Sequence, residues 1–207
     1  MLQYQTTEPG TLELLRKLMK VDAFKNLRLV GGTALALQIG HRNSVDLDLF
    51  GNLAVDEFEI DKQLKNIGTA TLLNKSENIN IWLVEGIKVD LVNYDYPWLG
   101  EAVTEDGLRL AGINDIAAMK LSAITGRGTR KDFIDLYYLL QKYMLREMLG
   151  FYSVKYSGAS EILVLKSLTY FDDADSDEDP KLFHPLDWKD VKSAVNDSVR
   201  DYVKTLS

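Results

Sequence analysis

No cysteine occurs in this chain, which excludes disulfides and thiolate metal sites. Only His41 and His184 could supply imidazole, so a structural zinc centre is not expected. No apolar run approaches the length needed to span a bilayer, and Met1 to Lys20 lacks the basic start and apolar stretch of a signal peptide; a cytoplasmic protein with no membrane association is expected. Basic residues are in deficit, 24 Lys and Arg against 31 Asp and Glu, for a formal net charge of −7. Broad non-specific affinity for nucleic acid is therefore disfavoured, because that affinity draws on phosphate neutralisation. RNA bound through a local positive groove stays open. What is present is ordinary for a soluble globular protein: 207 residues, 46% hydrophobic and 27% charged, enough for one large domain or two small ones.

The densest chemical information lies between Leu27 and Phe50. An apolar run, Leu27 to Val30, is broken by Gly31-Gly32 and followed by Thr33 to Ile39, a compact apolar segment, which reads as strand, glycine turn, helix. Glycines let backbone amides approach an anion, and a helix start presents unpaired N–H groups, so this turn suits a phosphate tail. Val45 to Phe50 then reads as a strand. Alternation places Asp46 and Asp48 on one face and Val45, Leu47 and Leu49 on the other, toward the core. Two carboxylates whose Cα atoms lie roughly 6–7 Å apart repel by about 2–3 kcal/mol at an effective dielectric near 20. A hard divalent ion such as Mg²⁺ between them would relieve this and leave positions for substrate phosphates.

Asp90 lies in Ile87 to Val92, another strand-like run, on the face shared with Lys88 and Val92. A third carboxylate on a neighbouring strand would complete a two-ion site; the alternative is an Asp paired with Lys88. Lys120 interrupts an apolar helical stripe of Ile113, Ile116, Ala117 and Ile124, so it must snorkel outward or meet an anion. Gly126-Arg127-Gly128 stops that helix. Thr129 and Asp132 have capping-box spacing for the next, and Asp135 follows Asp132 at i+3 on one face. Arg127, Arg130 and Lys131 are the densest basic cluster, suited to phosphates or to ordinary surface decoration.

Organisation follows from the same patterning. Helices are expected near Thr11 to Val21 and Val55 to Asn66, and strands at Thr69 to Leu73, Ile79 to Val84 and Ile87 to Val92. Past a boundary near Gly100 to Gly112 the pattern is helical: Ile113 to Thr125, Thr129 to Tyr143, Arg146 to Tyr156, Gly158 to Leu168 and Trp188 to Thr205. Tyr94, Tyr96 and Trp98 could stack a base but read first as a mini-core, His41 could touch a nucleotide but reads first as a surface residue, and Asp172 to Asp179 reads as a solvated acidic loop without the glycine and distal glutamate of a calcium loop.

Gly31-Gly32-Thr33 followed by Arg42-x-Ser44-x-Asp46-Leu47-Asp48-Leu49-Phe50 resembles the signature of the nucleotidyltransferase superfamily, which shares its core with DNA polymerase beta. Adding Lys88 to Val92, Ile116 to Arg127, Arg130 to Tyr137 and Leu168 to Ala174, the pattern is similar to the AbiEii/AbiGii toxins of type IV toxin–antitoxin and abortive-infection systems. The resemblance implies an α/β (α+β) nucleotidyltransferase core with a mixed, helix-flanked sheet over residues 1–105, and a helical half, 106–207, completing the active-site cleft. It implies Asp46, Asp48 and Asp90 as metal and catalytic residues, with Lys120, Asp132 and Asp135 also catalytic. It implies Gly31, Gly32, Thr33, Arg42, Ser44, Lys120, Arg127 and Arg130 as nucleotide-binding. The expected activity is Mg²⁺-dependent transfer of NMP from an NTP to RNA, foremost the tRNA 3′ end, opposed by a cognate antitoxin. The rivals are transfer to a small molecule or protein hydroxyl, and a non-catalytic partner-binding role.

Overall fold

The computed structural model describes residues 1–206, which divide into two compact units: Met1–Pro97 with Glu101–Gly112, and Trp98–Gly100 with Ile113 onward. The first holds α1 (Pro9–Met19), β1 (Leu27–Leu29), α2 (Gly31–Ile39), β2 (Leu47–Gly51), α3 (Glu57–Ile67), β3 (Ala70–Lys75), β4 (Ile79–Val84), β5 (Ile87–Asn93), β6 (Val103–Glu105) and β7 (Leu108–Leu110). The strands form one mixed sheet in the order β3-β4-β5-β2-β1-β7-β6, with β2 parallel to β5 and antiparallel to β1. A mixed α/β core was expected, and this is one.

Strand alternation sets what this sheet buries. Leu47 and Leu49 of β2 and Val89 and Leu91 of β5 are fully buried, joined by Leu27, Leu29, Trp82 and Val84. The β4–β5 and β6–β7 hairpins turn at Glu85-Gly86 and Asp106-Gly107, where both residues take positive φ, the geometry of two-residue turns matched to strand twist. The second hairpin is absent from the expected element order. Through β7 pairing β1, it carries the first unit to Gly112, so the boundary expected at 105/106 falls inside it.

The second unit holds α4 (Ile113–Gly126), α5 (Arg130–Leu140), α6 (Leu145–Lys155), α7 (Glu161–Leu168), α8 (Asp172–Asp175) and α9 (Trp188–Lys204). Val191, Val195 and Val199 make the buried stripe of α9, and Phe133, Phe171 and Trp188 cluster with ring centroids 4.8–6.0 Å apart. Part of the expected acidic loop is the short helix α8. A pair that sequence reading did not foresee lies in the core. Lys155 Nζ donates to Asp115 Oδ1 at 2.7 Å, both side chains fully buried, with Trp98 4.5 Å from the ammonium and the Leu99 N–H on the same carboxylate oxygen at 3.0 Å. It anchors Trp98 to Gly100 on the helices. Among the described residues, no helix is long and apolar enough to cross a membrane.

Candidate active site

In the first unit, the register of β2 and β5 makes Asp48 and Asp90 direct partners across the parallel pair. Their neighbours Leu47, Leu49, Val89 and Leu91 are buried on the opposite face, so both carboxylates project from the same side of the sheet. Asp46 differs from expectation. The strand begins at Leu47, which leaves Asp46 in the preceding loop and Val45 43% exposed rather than in the core.

That loop is held by Thr33. Its side chain is buried, and its hydroxyl donates to the Asp46 carbonyl and bonds the Ser44 hydroxyl at 2.9 Å. The Thr33 side chain is thus a clamp that positions Asp46. The two glycines have separate reasons. Gly31 opens α2 at φ +68°, and a Cβ there would collide with Asp48 Oδ2. A Cβ on Gly32 would strike the Arg42 guanidinium and lie 3.3 Å from Ser44 Oγ. The amide-rich start of α2 is therefore packed directly against Asp48, Arg42 and Ser44. Arg42 is buried and donates to the Asn43 carbonyl at 2.9 Å. His41 is also buried, at 2% exposure, contrary to the expected surface position.

Asp90 has a cation already. Lys88 Nζ lies 2.6 Å from each Asp90 oxygen, with Lys88 40% exposed and Asp90 16%. Among the described residues, no three acidic or imidazole side chains are gathered closely enough to hold a metal. The donors nonetheless fit a hard cation in kind. Asp48 and Asp90 are oxygen ligands on one face, the backbone beside Asp48 is glycine, and the lysine facing Asp90 is exposed enough to exchange for an ion.

In the second unit, Lys120 does not snorkel. It is 4% exposed and donates to Asp132 Oδ1 at 2.9 Å and Asp135 Oδ2 at 2.6 Å, both carboxylates fully buried. Asp132 also accepts from Arg127 Nε (2.9 Å) and Nη2 (3.1 Å) and from the Thr129 hydroxyl (2.6 Å), while capping α5. Burial alone would raise the Asp132 pKa. The Lys120 ammonium, the Arg127 guanidinium and the Thr129 hydroxyl outweigh it and hold the carboxyl well below the usual range. Charge is balanced across Lys120, Arg127, Asp132 and Asp135.

Arg130, expected to bind nucleotide, is otherwise occupied. Its Nε donates to the Ala174 carbonyl, Nη1 to Asp179 and Nη2 to the Asp175 carbonyl at 2.8–3.0 Å, and its guanidinium stacks 5.0 Å from the centre of the Trp188 ring. It fastens the acidic segment to α5, since a carbonyl-rich turn satisfies a planar five-donor fork better than solvent can. The aromatic mini-core is likewise divided. Tyr94 packs on Tyr96 at 5.2 Å in the first unit, with Tyr96 51% exposed, and Trp98 belongs to the second.

The sequence profile described as "Nucleotidyl transferase AbiEii toxin, Type IV TA system" matches residues 13–205. The chain belongs to this family. An uncharacterised protein of Aquifex aeolicus is 34% identical over 198 residues, covering 93% of this chain and 95% of its own. The AbiEii chain shares its fold with MenT4, a nucleotidyltransferase toxin of Mycobacterium tuberculosis, at a TM-score of 0.63 and 15% identity over 92% of this chain and 80% of that one. It also resembles JHP933 from Helicobacter pylori, at a TM-score of 0.60 and 17% identity over 97% and 94%. The AbiEii protein is a nucleotidyl-transfer enzyme.

Proposed function

We propose that this AbiEii nucleotidyltransferase moves an NMP group from an NTP onto a hydroxyl of RNA, foremost the tRNA 3′ end. It would require Mg²⁺, act in the cytoplasm and be restrained by a cognate antitoxin. The observation that carries this reading is the Asp48–Asp90 register pair beside the glycine-opened start of α2. Hard carboxylate oxygens next to the backbone amides of a helix start suit a phosphate chain carried with a divalent ion. That ion, when bound, supplies positive charge to the phosphate oxygens and lowers the cost of the anionic transition state.

The remaining steps belong to side chains of this protein. Gly31, Gly32 and the Thr33 amide orient the phosphate tail, with Arg42 and Ser44 backing the turn. Asp48 and Asp90, with Asp46 from the adjoining loop, would hold the ion. Asp90, released from Lys88, accepts the hydroxyl proton as the acceptor oxygen bonds to the α-phosphorus and the bond to the pyrophosphate oxygen breaks. Lys120, enclosed by the buried carboxylates of Asp132 and Asp135, fixes α4 to α5 and is given no step in the transfer.

Incubating total RNA with each α-labelled NTP tests this. Label should enter RNA with wild-type protein and not with Asp48→Ala. Label entering a small-molecule or protein fraction would replace the acceptor, and label moved equally by Asp48→Ala would end the assignment of the acid pair.

A further inference from the structure

The helical unit contains an open depression of about 410 Å³ between the end of α4 and the last turn of α7, lined by Arg127, Gly128, Lys166, Ser167, Tyr170 and Asp173. None of the chemistry above uses it. Among the described residues, the Lys166 ammonium has no carboxylate partner, which sets it apart from Lys120 and Lys155, each held by buried acids. Arg127 reaches the same depression from its bidentate hold on Asp132 with its side chain still 60% exposed. Tyr170 presents its ring at 53% exposure.

We propose that this depression holds one nucleotide of the single-stranded RNA acceptor, its phosphodiester between Lys166 and Arg127 and its base against the Tyr170 ring. Lys166 beside the exposed edge of Arg127, whose charge Asp132 already offsets, matches a singly charged diester and not the multiple charges of an NTP tail. An exposed aromatic beside a cation is the recurring arrangement for holding single strands without reading their sequence. The exposed ring of Tyr170 offers a base a stacking surface that a carboxylate-rich peptide does not use, which favours RNA over an acidic partner peptide. This placement rests on RNA as the acceptor, and it gives a net acidic protein a local means of binding a polyanion.

The test is binding of a short fluorescent single-stranded RNA to the full-length protein, read by anisotropy at low salt. Lys166→Glu and Tyr170→Ala should each weaken binding about tenfold, and Tyr170→Phe should retain it. Lys166→Gln should lower the slope of log affinity against log salt by about 0.7, the share of one phosphate contact on a single strand. Unchanged binding in both Lys166→Glu and Tyr170→Ala overturns the proposal. So does wild type that binds no RNA, including the case where it captures a polyglutamate peptide instead. The two readings fail separately. Lys166-dependent RNA binding without label transfer to RNA sinks the acceptor assignment alone, and transfer to RNA with Lys166-independent binding sinks the pocket alone.

Discussion

Two acid–lysine clusters, one in each unit, use the same residue types to opposite ends. On the sheet, Asp90 meets a single lysine that is 40% exposed, beside Asp48 and a glycine turn, so its partner can leave. Among the helices, Lys120 sits between two fully buried carboxylates, one of which also caps a helix and takes a bidentate arginine. Exchangeable charge suits chemistry, whereas desolvated and saturated charge organises structure, because removing one member strands the others in a low dielectric. The same contrast separates Arg127, exposed beyond its carboxylate contact, from Arg130, whose donors end on the acidic segment.

The sharpest way to break this contrast is Asp48→Asn. It should reduce nucleotidyl transfer by about 10⁴-fold, some 5 kcal/mol of barrier, and leave the urea midpoint almost unmoved; a large fall in the midpoint would make Asp48 structural. Lys120→Met should do the reverse in kind, costing about 3–5 kcal/mol of folding stability by uncovering two buried carboxylates. Loss of activity with unchanged stability would move Lys120 to the exchangeable class. Arg130→Gln should cost about 2 kcal/mol by freeing the acidic segment, with transfer per folded molecule unchanged. A selective rise in KM for the NTP would restore a nucleotide role.

The gentlest test is pH. The Asp132 carboxyl is held below its unfolded value of about 3.9, so below that pH the unfolded chain binds more protons than the folded one. The stability it contributes is fully present above the unfolded value and is lost as pH falls toward the folded one. Denaturant midpoints measured from pH 5 downward should therefore fall less steeply for Asp132→Asn than for wild type. Parallel curves would show that the surrounding cations do not hold the charged form.

Much of the sheet was readable because its strands alternate cleanly. The run Ile79 to Val84 coincides with β4, and the run Ile87 to Val92 is extended by one residue. The β6–β7 hairpin was missed despite a local signal: Asp106-Gly107 is a two-residue hairpin turn, flanked by strands of three residues each. The helix starting at Thr129 was legible from the Thr129 and Asp132 spacing, and its capping box is present. The fate of Arg130 was not, since its partners lie more than forty residues along the chain. Lys155 and Asp115 are separated by 40 positions and carry no pattern that joins them.

Periodicity and glycine placement were enough to mark the elements and to put Asp48 and Asp90 on strands with an amide-rich turn upstream, because a strand's two-residue repeat and a turn's φ requirement are local. Which strands lie side by side is a non-local matter of register. Only the folded sheet sets Asp48 opposite Asp90 and leaves Asp46 in a loop tied by Thr33. Burial is non-local too, and it alone distinguishes Lys120 from Lys166: two similar ammonium groups, one enclosed by carboxylates brought from another helix and the other standing at the edge of an open depression.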